Sequence, residues 1–200
     1  MKKIITNTLI LIILSLLVLT GCNTVEPTTS LTNSPVIIAA DDTVADLLPY
    51  TVTFNFGEQS ATFSNADLAS LTLIDFSVEV LDDNDVTTRY YKGIAFSEIF
   101  TLKSIISTGI SSFSFTSVKP TPNASAFTQL DATHDPLSAY YFALFEKNDD
   151  GIYEVMNITV KDADNNNVSV SGIRNISTNQ NYKTYWVKGV EKVDITYNEG

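Results

Sequence analysis

Tyr90-Tyr91-Lys92-Gly93-Ile94-Ala95-Phe96-Ser97-Glu98-Ile99-Phe100 changes its period within a few residues. The run from Val86 to Lys92 reads as a strand, and Gly93 is expected to break it. Ser97 then reads as an N-cap with Glu98 in the first turn of a helix carrying Ile99, Phe100 and Leu102. Gly93 suits a tight strand-to-helix junction. Ile94, Phe96, Ile99 and Phe100 would pin that helix to the sheet through one apolar stripe. Strand and helix therefore belong to one folding unit.

Upstream, Tyr50, Val52, Phe54 and Phe56 alternate with Thr51, Thr53 and Asn55, a period-two strand. Gly57-Glu58 turns it, and Ala61-Thr62-Phe63 starts a second strand. Ser64 or Asn65 caps a short helix over Ala66 to Leu71, with Asp67 in its first turn, where the helix dipole favours an acid. Leu73 to Leu81 is a strand with Leu73, Asp75, Ser77 and Glu79 on one face and Ile74, Phe76, Val78 and Val80 on the other. Asp82-Asp83-Asn84-Asp85 turns it towards Val86.

Downstream of Gly109, Phe113, Phe115 and Val118 alternate again. Residues 119 to 137 read as a long loop with little apolar periodicity. Leu137 to Phe145 is strongly apolar and fits helix or strand. Asn148-Asp149-Asp150-Gly151 is a turn. Ile152 to Val160, Val168 to Ile173, Tyr182 to Val187 and Val190 to Tyr197 read as strands. The sum is one α+β domain over residues 45 to 200, mostly β in mixed sheets, with two or three short helices.

The first 44 residues have another character. Lys2 and Lys3 precede an apolar run to Leu19, and Leu19-Thr20-Gly21-Cys22 follows. This is the layout of a secretory signal peptide. Leu-Thr-Gly-Cys resembles the bacterial lipobox, in which the cysteine is lipidated, typically with palmitate, and becomes the mature N-terminus. The clean run from Leu9 to Leu19 is shorter than the roughly 20 residues a spanning helix needs. An uncleaved anchor is the alternative, and it too would leave the body outside the cytoplasm. Residues 1 to 21 are thus expected to be a lipoprotein signal peptide, and 22 to 44 a flexible tether on lipidated Cys22. That tether is rich in Thr, Ser, Asn and Pro and cannot order itself by burying apolar surface. The expected address is the extracytoplasmic face of the cell membrane, with a lipid anchor at the cell surface.

Charge and cysteine content narrow the chemistry. Without Lys2 and Lys3, 10 basic residues stand against 23 acidic ones. Such a balance argues against nucleic acid as a partner and against electrostatic adhesion to anionic lipid. Cys22 is the only cysteine. The domain therefore has no disulfide and no thiolate for catalysis or metal binding.

The order of elements adds a resemblance. A strand leads to Asn65-Ala66-Asp67-Leu68-Ala69-Ser70-Leu71, then to a long strand, then to Tyr91-Lys92-Gly93-Ile94-Ala95-Phe96. The chain closes with Trp186-Val187-Lys188-Gly189-Val190-Glu191-Lys192-Val193-Asp194-Ile195. In this order the chain resembles the oxidoreductase molybdopterin-binding domain family, the fold of the sulfite oxidase catalytic domain, in its short bacterial form, over about residues 48 to 198. Asp67-Leu68, the step Tyr91 to Phe96 and Trp186 to Lys188 carry the likeness. The resemblance implies a molybdopterin cofactor, with molybdenum held by a cysteine thiolate and basic residues around the pterin phosphate. The chain departs from that pattern: no cysteine remains on the domain, Arg89 and Arg174 are its only arginines, and Lys119-Pro120-Thr121-Pro122 stands where short relatives have an Asp-Gly-Tyr-like turn.

Candidate site residues are few. His134, the only histidine, lies between Asp131 and Asp135 and fits a general base or one metal ligand; an exposed loop histidine is the favoured reading. Glu146 to Ile152 spaces oxygen donors as a calcium loop does, but its twelfth position is Asn157, so a hairpin with an Asp-Gly turn is favoured. Asp162 to Asn167 reads as a turn in the same way, with a weak calcium site as the alternative. The tyrosines and Trp186 would form a stacking platform for a small ligand or glycan if they shared a face, but adjacent tyrosines point to opposite faces. Trp186 is expected in the core. Tyr91, Lys92, His134 and Tyr185 are the candidate ligand contacts. No catalytic and no metal-ligating residue is assigned.

The leading expectation is a non-catalytic ligand-binding or accessory module that meets an unknown small molecule or surface protein. A molybdopterin-dependent oxidoreductase or redox partner is one alternative, and an adhesive or structural surface domain is another.

Overall fold

The computed structural model describes residues 47–82, 85–121, 123–125, 128–131, 135–179 and 186–198. The signal, Cys22 and the tether lie outside the described residues, as do His134, Tyr182 and Tyr185. The expected strand from Tyr182 to Val187 falls outside them except for its last two residues.

Two five-stranded arrangements face one another. The first orders β2 (Gln59–Ser64), β1 (Thr51–Phe56), β12 (Val190–Tyr197), β5 (Ile110–Ser117) and β6 (Thr128–Asp131). Here β1 and β12 run parallel, with Phe54 opposite Val193, and the other pairs are antiparallel. The second orders β11 (Arg174–Ser177), β7 (Tyr140–Lys147), β4 (Asp85–Ala95) and β3 (Ile74–Asp82), with β8 (Tyr153–Val155) on the far half of β7. A two-stranded ribbon joins β9 (Asn157–Lys161) to β10 (Asn167–Ser171). Among the described residues, the helical content is α1 (Phe96–Lys103) and two 3-10 turns, Asn65–Ser70 and Leu137–Ala139. The domain is mostly β with mixed sheets and few helices.

Phenylalanines fill the space between the sheets. Phe54 and Phe63 from the first sheet meet Phe142 from the second, each with ring centroids 5.9 Å apart. Phe96 of α1 sits 4.6 Å from Phe142, and Phe113 sits 4.7 Å from Tyr140. Burying one such ring contributes about 1.5–3 kcal/mol, and an aromatic pair adds about 0.5–1.5 kcal/mol. A second apolar cluster lies on the other face of the second sheet: Phe76, Val78 and Val80 of β3 with Tyr91, Ile176 and Trp186. Trp186 is buried in the core, as expected, but neither it nor Val187 lies in a strand, so the described end of the expected Tyr182–Val187 strand is irregular.

Several expectations need correction. Gly93 does not break the strand; β4 continues to Ala95, with a register shift between Lys92 and Gly93. The glycine is required by close approach instead, because a Cβ there would stand 2.0 Å from the Phe142 carbonyl oxygen of β7. Ser97 lies inside α1, whose N-cap is Ala95. The helix over 66 to 71 is a 3-10 turn, Asn65–Ser70, capped by Ser64. The long loop contains β6, and β5 ends at Ser117, before Val118. The span from Ile152 to Val160 is two strands, because the Met156 N–H donates to the Leu144 carbonyl and the Met156 carbonyl accepts from Gly172. Strand β10 stops at Ser171, and Arg174 to Ser177, not read as a strand, pairs with β7. Leu137 to Phe145 resolves as a 3-10 turn followed by the central strand β7.

Candidate functional site: a polar cleft over the second sheet

Arg89 and Tyr91 alternate on β4 and so share a face. Tyr91 is the register partner of Glu146 on β7, and Arg174 opens β11 on the other side of β7. Three adjacent strands thus converge on one point. The Arg89 Nη1 lies 2.6 Å from Glu146 Oε1, and the Tyr91 hydroxyl donates to the same oxygen at 3.2 Å. Arg174 Nη1 donates to the Tyr91 hydroxyl at 3.4 Å. The only two arginines of the chain are therefore joined through one phenol and one carboxylate. Trp186 stands edge-on to the Tyr91 ring, with centroids 6.3 Å apart.

Burial pushes the Tyr91 phenol up to about 12, and the Glu146 carboxylate beside it acts in the same direction. Tyr91 is accordingly a neutral hydrogen-bond donor at physiological pH. The cluster is rich in donors. Arg89 Nε, Arg174 Nε and Trp186 Nε1 are all buried atoms with no hydrogen-bond partner among the described residues. A buried donor without a partner costs about 1–3 kcal/mol.

Beside this cluster lies an open cleft of about 370 Å³, within the size range of small-molecule sites. Arg89, Glu146, Glu154, Asn157, Gly172 and Lys188 contribute to its walls. The turn after β7 closes one end: the Asn148 carbonyl accepts from Gly151, its Oδ1 accepts from the Ile152 N–H, and its Nδ2 donates to Glu154 Oε1. At Gly172 the chain passes against Met156 and Asn157 so closely that a Cβ would meet their backbone carbons at 2.9 Å. The 148–151 stretch is thus a hairpin turn between β7 and β8, with Gly151 at a positive φ. In the Asp162 loop the carboxylate accepts N–H groups from Asp164 and Asn166. Among the described residues no cluster of three metal-ligating side chains is present.

Of the four candidate contacts, Tyr91 is fully buried within the donor cluster. Lys92 is buried on the opposite face, with its Nζ 4.8 Å from the Tyr153 ring centre. Burial, reinforced by a hydrogen bond to Asp75, pushes the Tyr153 phenol up to about 12. Tyr91 and Lys92 are therefore not brought to one site; the pleat separates them. His134 and Tyr185 lie outside the described residues. Glu146 enters the sequence reading only through the disfavoured calcium loop and Lys188 only through the family likeness, and nothing local marks Glu154. The scarcity of arginine was the legible signal for Arg89 and Arg174. No family model, no curated protein and no solved structure matches this chain.

Proposed function

We propose that this chain is a lipid-anchored, extracytoplasmic binding module without catalytic activity, which takes a small polar ligand into the cleft between Arg89, Glu154 and Lys188. One observation carries the reading: Arg89, which is tied through Glu146 and Tyr91 to the buried Arg174, forms part of the wall of a cleft of ligand size together with Glu154 and Lys188. Few buried donors in native proteins go without an acceptor, and a ligand oxygen in the cleft is one acceptor that Arg89 can take. The lipobox-like Leu19 to Cys22 supports the anchor, and the polar stretch to residue 44 supports a tether that holds the cleft away from the bilayer.

The finer fold reading is a molybdopterin-binding-domain-like arrangement. Its support is the order of elements around Asp67-Leu68, the Tyr91 to Phe96 step and the closing strand after Trp186. The donor set does not fit the cofactor. A thiolate-held molybdenum needs a cysteine on the domain, and Cys22 is the only one, placed before the described residues. The two arginines that would face a phosphate are tied to Glu146 and Tyr91. No redox step is assigned.

The test is a thermal-shift screen of the purified chain against small polar molecules, with metal analysis of natively produced protein. The expected result is stabilisation by a subset of ligands that is lost in Arg89→Gln. Stoichiometric molybdenum would overturn the non-catalytic reading in favour of the oxidoreductase. A flat screen without a cofactor would favour the adhesive surface domain.

A further inference from the structure

Charge in the cleft is balanced in number but not in pairing. Its walls carry Arg89, Lys147 and Lys188 against Glu146, Asp149 and Glu154. Lys147 turns to the tyrosines, with its Nζ 5.5 Å from the ring centres of Tyr90 and Tyr153. Glu146 and Glu154 are direct cross-strand partners on β7 and β8. Like charges in that position repel, so each carboxylate needs a positive neighbour. Glu146 has Arg89 at 2.6 Å. Glu154 has only the neutral Asn148 amide, at 2.8 Å, among the described residues. Lys188, placed by its bridge to Arg174, is exposed and has no acidic partner among the described residues. Arg89 Nε is buried and without a partner among the described residues. One carboxylate that lacks a cation thus shares a cleft with one ammonium that lacks an anion among the described residues, and with the part-exposed guanidinium of Arg89, already paired with Glu146.

We infer that the cleft is built for a small zwitterion, of the size of a free amino acid or a dipeptide, whose ammonium meets Glu154 and whose carboxylate meets Lys188 and Arg89. This rests on the binding reading above and names the ligand class. The chain carries a large net negative charge, which disfavours anionic ligands at long range. A zwitterion is neutral overall, so it escapes that repulsion while satisfying both local vacancies.

Isothermal titration of the full-length chain in detergent, at fixed ionic strength, tests this with L-alanine, glycylglycine, N-acetylglycine and glycinamide. Emission of Trp186, the only tryptophan, provides a second readout from beside the donor cluster. The expected result is saturable binding of at least one zwitterion, weakened about tenfold or more when either charge is blocked, as in N-acetylglycine or glycinamide. Glu154→Gln should lose discrimination against N-acetylglycine, and Lys188→Gln against glycinamide, with unchanged urea midpoints. N-acetylglycine or glycinamide binding as tightly as the zwitterions, or discrimination unchanged in both variants, overturns the inference while the binding reading stands. Absence of binding by all four probes overturns the inference, and the wider screen then decides the binding reading separately.

Discussion

Arg174 donates to the hydroxyl of Tyr91 across 83 residues of sequence, and that bond joins β11 to β4 over the intervening β7. Arg174 is buried, and its Nε has no partner among the described residues, so the Tyr91 oxygen is the side-chain acceptor that holds the guanidinium in place. Tyr91→Phe keeps the ring and removes that acceptor. It should destabilise the domain by about 1–3 kcal/mol, since a buried charged donor loses its bond. Urea unfolding measures this, and a midpoint equal to wild type would show that water serves Arg174 equally well.

Alkaline pH should act on the same residue. Burial raises the phenols of Tyr91 and Tyr153 from an ordinary 10.0 to about 12 each. Between those limits the folded chain binds more protons than the unfolded chain, so stability is complete below about pH 10 and falls as pH rises towards 12. Urea midpoints measured between pH 9 and 12 should decline, and Tyr91→Phe should decline less steeply. A parallel decline in the variant would place the effect elsewhere.

Asp67 governs the acid side. Partial burial pushes its carboxyl up, but the hydrogen bond from Lys103 and the backbone N–H of Ser64 outweigh that and bring it below its ordinary value. Lys103 Nζ stands 2.6 Å away and the Ser64 N–H 2.8 Å away. A lowered carboxyl contributes stability above its unfolded value, near 4, and loses it as pH falls through the folded value. Asp67→Asn should cost about 0.5–1.5 kcal/mol at neutral pH through the weakened hydrogen bonds from Lys103 and the Ser64 N–H and should flatten the stability profile below pH 4. A profile identical to wild type in that range would remove Asp67 from the account.

Gly93→Ala should be among the costliest small substitutions. The added carbon meets a backbone carbonyl of the neighbouring strand, which no rotamer change relieves. Overpacking of this kind costs about 3 kcal/mol, against about 1 kcal/mol for Ala at the open, positive-φ turn of Gly57. Chemical denaturation of the two variants side by side checks the order, and an equal loss at both positions would contradict it.

Phe142→Ala should cost about 3–5 kcal/mol, because the ring is fully buried and meets Phe54, Phe63 and Phe96 at once. A differential scan reads this as a large drop in melting temperature, and a loss under about 1 kcal/mol would mean that the core closes over the gap.

Local chemistry made much of the fold legible. The alternation at Tyr50 to Phe56 and at Leu73 to Leu81, the turn at Gly57, the Asp-Gly hairpin at Asp150-Gly151 and the final strand from Val190 to Tyr197 all follow from period and turn residues, and the structure has them. Segments whose state depends on a distant partner were not legible. Thr128 to Asp131 has no strong pattern and becomes a strand because β5 offers an edge. Arg174 to Ser177 does so because β7 does. Gly93 carried a strong local signal with the wrong meaning, since its reason is a carbonyl on another strand.

The division at the site has the same cause. By itself the sequence determined the shortage of arginine and which side chains share a face of each strand, and it raised the expectation of a lipid anchor at Cys22. Strand order alone decided that Arg89, Tyr91, Glu146 and Arg174 meet, that Tyr91 and Lys92 part, and that Glu154 faces Glu146 while Lys188 stands without an acidic partner among the described residues. Period and capping are short-range and are written in neighbouring residues. Charge pairing across β4, β7, β8 and β11 is long-range, and it exists only once backbone hydrogen bonding has set the register of those strands.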